Sequence, residues 1–257
     1  MQEKTAVLFW GHGSPMNIIE PSTFTTILRQ WGQQLPKPRA VIMISAHWMT
    51  QEWRVTGAKK LSTLYDFYGF PQELYQKVYP ASGDPLLAQR LVDDLGVHFD
   101  EHRGLDHGAW SVMELLDPDA KIPIVQISLN AHGNCYDHYR LGKMLASYRE
   151  EGIMIVASGD IVHNLGYLKP SRDAKAYDWG EFFENTILQA IQNRDLKTVL
   201  EPYTLGESAK LSLPTIEHYY PLCVALGALD DDEFFEVVYQ GFEHGSISLT
   251  SLIGGLA

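Results

Sequence analysis

The chain has 257 residues, of which 45% are hydrophobic and 20% charged; that suits one large packed domain, or at most two small ones, and argues against disorder. A formal net charge of −12, with no run of Lys or Arg, sets it against nucleic acid as a partner. Two cysteines, Cys135 and Cys223, leave no disulfide framework, and no stretch nears the roughly 20 apolar residues a membrane span requires.

The apolar run at 6–10 stops at Gly11-His12-Gly13-Ser14-Pro15-Met16. It reads as a buried strand ended by Gly and Pro. His12 therefore sits on a tight turn at a strand's carboxyl end, the rim where open α/β sheets bind ligands. Pro21-Ser22 starts a helix carried by Phe24, Ile27, Leu28, Trp31 and Leu35 and stopped by Pro36 and Pro38. A second strand, 40–45, ends in Ala46-His47-Trp48, and 53–56 is a short strand. From 61 to 79 the chain is an aromatic loop bearing Tyr65, Phe67, Tyr68, Phe70, Tyr75 and Tyr79. Those rings either cap the sheet or wall a pocket for a flat aromatic ligand.

Asp84-Pro85 opens a helix, with Asp as N-cap and Pro at its first position, and Gly96 stops it. A short strand follows at 97–99, then another glycine-flanked histidine turn, Leu105-Asp106-His107-Gly108-Ala109-Trp110. Residues 122–128 form a strand, and 137–150 a helix with Leu141, Leu145 and Tyr148 on one face. A third strand, 153–157, leads into Ser158-Gly159-Asp160-Ile161-Val162-His163-Asn164. Residues 178–192 form a strong helix; another starts at Pro214 and ends at Gly227. Late strands at 236–242 and 246–252 suggest a hairpin through His244-Gly245. Strands alternating with helices predict an α/β fold: a single domain over 1–257 with a central, mostly parallel or mixed sheet and helices on both faces. The late hairpin adds an antiparallel edge.

Three strands thus deliver His12, His47 and His163 at the same end. If they are parallel neighbours, the imidazoles converge, and such a cluster suits a divalent transition metal. His218 lies beside Glu217; successive residues point apart, so one of the two completes the shell. His107 joins as a site residue or as a residue that orients its loop. His98, His102, His132, His138 and His244 read as surface or structural, and the cysteines as inert apolar residues. No phosphate-binding glycine motif and no G-x-S-x-G occurs.

On the segments around His12, His47, His107 and His163, and on Glu217-His218-Tyr219-Tyr220-Pro221-Leu222, the sequence resembles the class III extradiol ring-cleaving dioxygenases. Within that family it is similar to the 4,5-DOPA dioxygenase-like branch of bacteria and plants. The resemblance implies one divalent metal ion held by His12, His47 and His218, with His163 as a fourth ligand or as the acid–base. It implies a catechol opened beside its diol by O2, with His163 moving protons and His107 steadying the oxygen or a substrate hydroxyl. Better-known class III enzymes carry a carboxylate where this branch places its late histidine. The metal therefore stays open, Fe2+ being expected for turnover and Zn2+ as a bound ion. A zinc-dependent hydrolase and a non-catalytic binding protein of the same fold are the alternatives. Gln2-Glu3-Lys4 precedes an apolar run too short for a leader, so the cytoplasm is expected. The expected partners are a small catechol and O2, without nucleic acid or membrane, for a monomer or small homo-oligomer.

Overall fold

The computed structural model describes residues 4–256; Gln2 and Glu3, which bear on the leader, lie outside them. In chain order the strands are β1 (Val7–Gly11), β2 (Ala40–Thr50), β3 (Arg54–Thr56), β4 (His98–Asp100), β5 (Ile124–Asn130), β6 (Ile153–Gly159), β7 (Phe235–Tyr239), β8 (Phe242–Glu243), β9 (Ile247–Ser248) and β10 (Ser251–Gly254). The helices are α1 (Thr23–Gln34), α2 (Pro85–Leu95), α3 (His107–Leu116), α4 (Cys135–Leu145), α5 (Asp178–Gln192), α6 (Leu196–Leu200), α7 (Glu207–Ser212) and α8 (Tyr220–Gly227).

Eight strands form one sheet in the order β4-β3-β5-β2-β6-β1-β10-β7, while β8 and β9 pair separately. The centre, β5-β2-β6-β1, is parallel throughout. Antiparallel pairings lie outside it, between β3 and β5 and between β10 and both β1 and β7. The central strands read as unbroken apolar runs because helices cover both faces. Val7 and Phe9 pack into a cluster with α4, α5 and α8; Leu8 and Trp10 point the other way, into a cluster with α1 and α3. The fold is the mixed α/β sheet the sequence predicts. Among the described residues no helix is long and apolar enough to cross a membrane.

Local chemistry sets the boundaries. Asp84 accepts from the Leu87 N–H, Pro85 opens α2, and Gly96 closes it in the left-handed conformation at φ 68°. The helix expected from 137 starts at Cys135, because Asn134 caps it and Asp137 is the third residue of that capping box. It gives way to a 3-10 turn at Ala146–Glu151. His107 is not on a free turn: Asp106 caps α3 and His107 is its first residue. That helix was missed because it is buried on nearly every side and shows no 3.6-residue period. The helix expected from Pro214 begins only at Tyr220, leaving Glu217 and His218 on a turn. The two late strands are four pieces: the hairpin through His244-Gly245 joins β8 to β9, and β10 with β7 makes the antiparallel edge.

His138 fulfils its structural reading. Its ring stacks 3.9 Å from Tyr220. The Nδ1–H donates to Asn134 O at 2.8 Å, and Nε2 accepts the Asn130 N–H at 3.3 Å. Burial lowers its pKa to about 4, against the raising effect of the Asn134 carbonyl. The unfolded chain takes up this proton near pH 6.5 and the folded chain only near 4. The contribution is therefore fully present above about pH 6.5 and is lost as pH falls toward 4. His138→Gln is expected to remove roughly 3 kcal/mol of that acid-side loss, at about 1.4 kcal/mol per pH unit. Urea midpoints at pH 7 and pH 4.5 check this; equal pH sensitivity in both proteins would refute it.

Candidate metal centre and active site

Because β6 lies between β2 and β1, the carboxyl ends of all three share one rim. His12 follows β1 directly, its N–H donating to Gly159 O at 3.2 Å. His47 lies within its strand rather than at or just past its end. The β2–β5 pairing is irregular between Ile44 and Met49, and His47 falls in that bulge. Gly108, in the first turn of α3, makes room for it: a Cβ there would lie 2.6 Å from Ser45 Oγ and 2.9 Å from His47 Cδ2. Gly159 does the same for the 214–219 turn, since a Cβ would lie 2.2 Å from His218 O. The Asp160 N–H donates to that same carbonyl at 2.8 Å.

The five histidines named from the sequence come together. Nε2 of His12 and Nε2 of His47 are 3.0 Å apart. Donor atoms of His12, His47 and His218 all lie within 4.8 Å of one another. Behind each ring the other nitrogen is occupied. Ser158 Oγ donates to Gly108 O at 2.6 Å, so it accepts the Nδ1–H of His12 at 3.1 Å. His218 Nδ1–H donates to Glu217 Oε1 at 3.1 Å. His47 Nδ1 lies 3.5 Å from Asp66 Oδ2. Of the neighbouring pair Glu217 and His218, the histidine thus faces the cluster and the glutamate orients it from behind.

His218 Nε2 is buried without a hydrogen-bond partner among the described residues. Burial first, then the neighbouring imidazoles, holds His12 and His218 well below the usual histidine range. Burial and His107 bring His47 to about 4, against the raising effect of Asp106 and Asp66. These rings are neutral at pH 7, the state in which imidazole binds metal. The His12 and His47 Nε2 atoms, 3.0 Å apart, are close enough to share one ion at about 2.1 Å from each. The residues fit a divalent cation.

His163 does not join that three-histidine set; a nitrogen of it groups instead with Asp160 and His218. Its ring stacks on His218 at 3.5 Å and 5°. Burial lowers it to about 4, with Glu217 raising and His107 lowering it further. His107 donates its backbone N–H to Asp66 Oδ1 at 2.8 Å, and its Nδ1 lies 3.0 Å from the same oxygen. Burial alone would raise Asp66, but its bonds to His107 outweigh this and hold it at about 2. Asp66 and Asp160 were not singled out from the sequence. The first hides in the aromatic loop, and the second sits inside the segment that carries His163. Burial pushes the Asp160 carboxyl well above the usual range, a shift opposed by the Gly13 N–H and reinforced by Glu243.

The cluster floors a cavity of about 800 Å³. Phe67, Tyr68 and Phe70 line it, with Leu165, Leu168 and Ile247, as do His107 and His163. Tyr65 and Tyr79 belong instead to the core under α3. The aromatic loop therefore caps the sheet and walls a pocket at once. His244, read as surface or structural, also borders the cavity, its Nδ1–H donating to Lys169 O at 2.8 Å.

Residues 7–252 match the family described as the catalytic LigB subunit of aromatic ring-opening dioxygenase. The chain belongs to this LigB family. Its reaction class is accordingly aromatic ring opening by dioxygenation, and the extradiol family read from the five segments is confirmed. The chain is 42% identical to the 4,5-DOPA dioxygenase extradiol of Escherichia coli (strain K12), over 95% of this chain and 93% of that protein. It is 37% identical to the Beta vulgaris protein of the same name, over 95% and 94%. The crystal structure of an uncharacterized protein from Escherichia coli K12 superposes with a TM-score of 0.84 at 39% identity, covering 97% of this chain and 99% of that one.

Ser158→Ala removes the acceptor that fixes the His12 tautomer. Divalent-metal affinity is expected to fall about 10- to 100-fold with the fold intact. Competition against a chromophoric chelator measures this, and unchanged affinity would show that the hydroxyl does not orient His12.

Proposed function

We propose that the protein is a metal-dependent extradiol dioxygenase that opens the ring of a catechol of the 4,5-DOPA type. The observation that carries this reading is a trio of neutral imidazoles, His12 and His218 buried and His47 half-buried, whose free nitrogens converge on the floor of an aromatic-walled cavity. A divalent ion held by His12, His47 and His218, Fe2+ for turnover with Zn2+ also accommodated, supplies Lewis acidity toward the diol and redox access to O2. Phe67, Tyr68 and Phe70 pack against the substrate ring and keep water away from it.

His163 acts on protons. Its ring borders the cavity and is neutral at pH 7, ready to take the proton of a substrate hydroxyl and return it later. His107 stands beside His47, ring centres 3.9 Å apart, and has the charged Asp66 behind it. It hydrogen-bonds the oxygen or a substrate hydroxyl. The DOPA-type substrate rests on the names of the Escherichia coli and Beta vulgaris relatives. Both cysteines are free and buried, which suits the reducing cytoplasm as the place of action.

Protein reconstituted anaerobically with Fe2+ and then given air and L-DOPA is expected to consume one O2 per ring opened and to develop the yellow absorbance of a muconic semialdehyde. Absence of uptake with L-DOPA and with simpler catechols would overturn the reading. His163→Ala is expected to lower kcat by about 10²- to 10⁴-fold while keeping the metal content of the wild type. Full activity in that variant would remove His163 from proton transfer.

A further inference from the structure

We propose that Asp160 lends its free oxygen, Oδ2, to the ion centred on His12, His47 and His218, making the centre a mixed imidazole–carboxylate site. This rests on the metal-centre reading above and adds a donor to it. Asp160 lies one residue past β6 and is fully buried. It is pinned from two sides: its backbone N–H donates to His218 O at 2.8 Å, and Oδ1 accepts the Gly13 N–H at 3.2 Å. Oδ2 has no hydrogen-bond partner among the described residues. It lies 3.8 Å from His12 Nε2, the nitrogen that meets His47. An oxygen of the same carboxylate falls within 4.8 Å of donor nitrogens on His163 and His218.

Among the described residues no Lys or Arg comes within ion-pair distance of Asp160. A buried carboxylate oxygen with no donor is costly unless a proton, a cation or a metal takes it up. His218 Nε2 is idle in the same cluster. His218 belongs both to the three-histidine set and to the set with Asp160 and His163, so an ion at His218 has the Asp160 carboxylate beside it. An oxygen donor is harder than imidazole, so Asp160 strengthens Fe2+ and Mn2+ relative to Zn2+.

Asp160→Asn is the test, because it keeps an oxygen for the Gly13 N–H and puts an amide NH2, with no lone pair for a cation, in place of Oδ2. Full-length apoprotein is titrated with Mn2+, anaerobic Fe2+ and Zn2+ against a chromophoric chelator, and its Co2+ absorption spectrum is recorded. Mn2+ and Fe2+ affinity is expected to fall tenfold or more, Zn2+ affinity by less, with a shifted Co2+ spectrum and an apoprotein melting point no lower than the wild type's. Wild-type affinities and an unchanged Co2+ spectrum overturn the proposal; if His12→Ala still loses the metal, the metal-centre reading survives alone. A wild type that binds none of these ions overturns both. Should Asp160→Asn not fold, Asp160→Glu is read by the same Co2+ spectrum. A shifted spectrum then supports the proposal and a wild-type one overturns it.

Discussion

The constraint on which this structure depends is that a cluster of imidazoles is buried together and must stay uncharged. A protonated ring in that cluster would be desolvated and would repel its neighbours. Burial is the largest effect on His12, His47, His163 and His218, and neighbouring imidazoles lower each of them further. Neutrality leaves each ring one N–H to place and one lone pair to aim. Ser158 takes the N–H of His12 and Glu217 that of His218, so both lone pairs turn inward. Second-atom contacts of this kind fix tautomer and ring orientation in metal sites. They also explain why the surroundings are so closely fitted. Gly108 and Gly159 carry no Cβ because Ser45, His47 and the His218 carbonyl occupy that space.

How much of this was legible in the sequence follows from what each signal measures. Apolar runs that stop at Gly report buried strands and their ends, which is why His12 and His163 were placed correctly on the rim. The same logic puts His47 at or just past the end of its strand, whereas β2 runs on to Thr50 through an irregular register. A bulge depends on the partner strand, and one strand's sequence does not carry it. Helix α3 was invisible for the opposite reason. Its residues are buried almost all round, so no polar face gave it a period. Asp66 could not be chosen from its neighbours, because its role comes from His107, 41 positions away. The choice between Glu217 and His218 likewise needed the turn that the helical pattern from Pro214 concealed.

The aromatic loop shows how one stretch can serve stability and chemistry together. Tyr79 is buried, and its hydroxyl donates to Asp117 O at 3.1 Å, tying the loop to the end of α3. Tyr65 donates to Lys77 O at 2.6 Å and closes the loop on itself. With both ends anchored, Phe67, Tyr68 and Phe70 are held over the cavity, and Phe67 meets His107 edge-on at 5.5 Å. The cost of exposing Tyr68, 92% accessible, falls on a segment already fixed by its neighbours.

Two aspartates beside the centre, both fully buried, bring out what distinguishes scaffold from site. Asp106 is saturated. Ser45 Oγ donates to it at 2.6 Å, Gln126 Nε2 at 2.6 Å, Arg103 Nη2 at 3.1 Å and the Ala109 N–H at 3.1 Å. Arg103 also donates to His47 O at 3.2 Å, so this carboxylate ties the cap of α3 to the bulge that carries His47. Every oxygen has donors, and a cation completes the set; such a group stabilises what surrounds it and has nothing left to offer. Asp160 has one backbone donor on one oxygen and none on the other. If burial alone had shaped both positions, they would be equally satisfied. The difference lies at the oxygen nearest His12 Nε2, where a donor from the protein would compete with an ion for the same lone pairs.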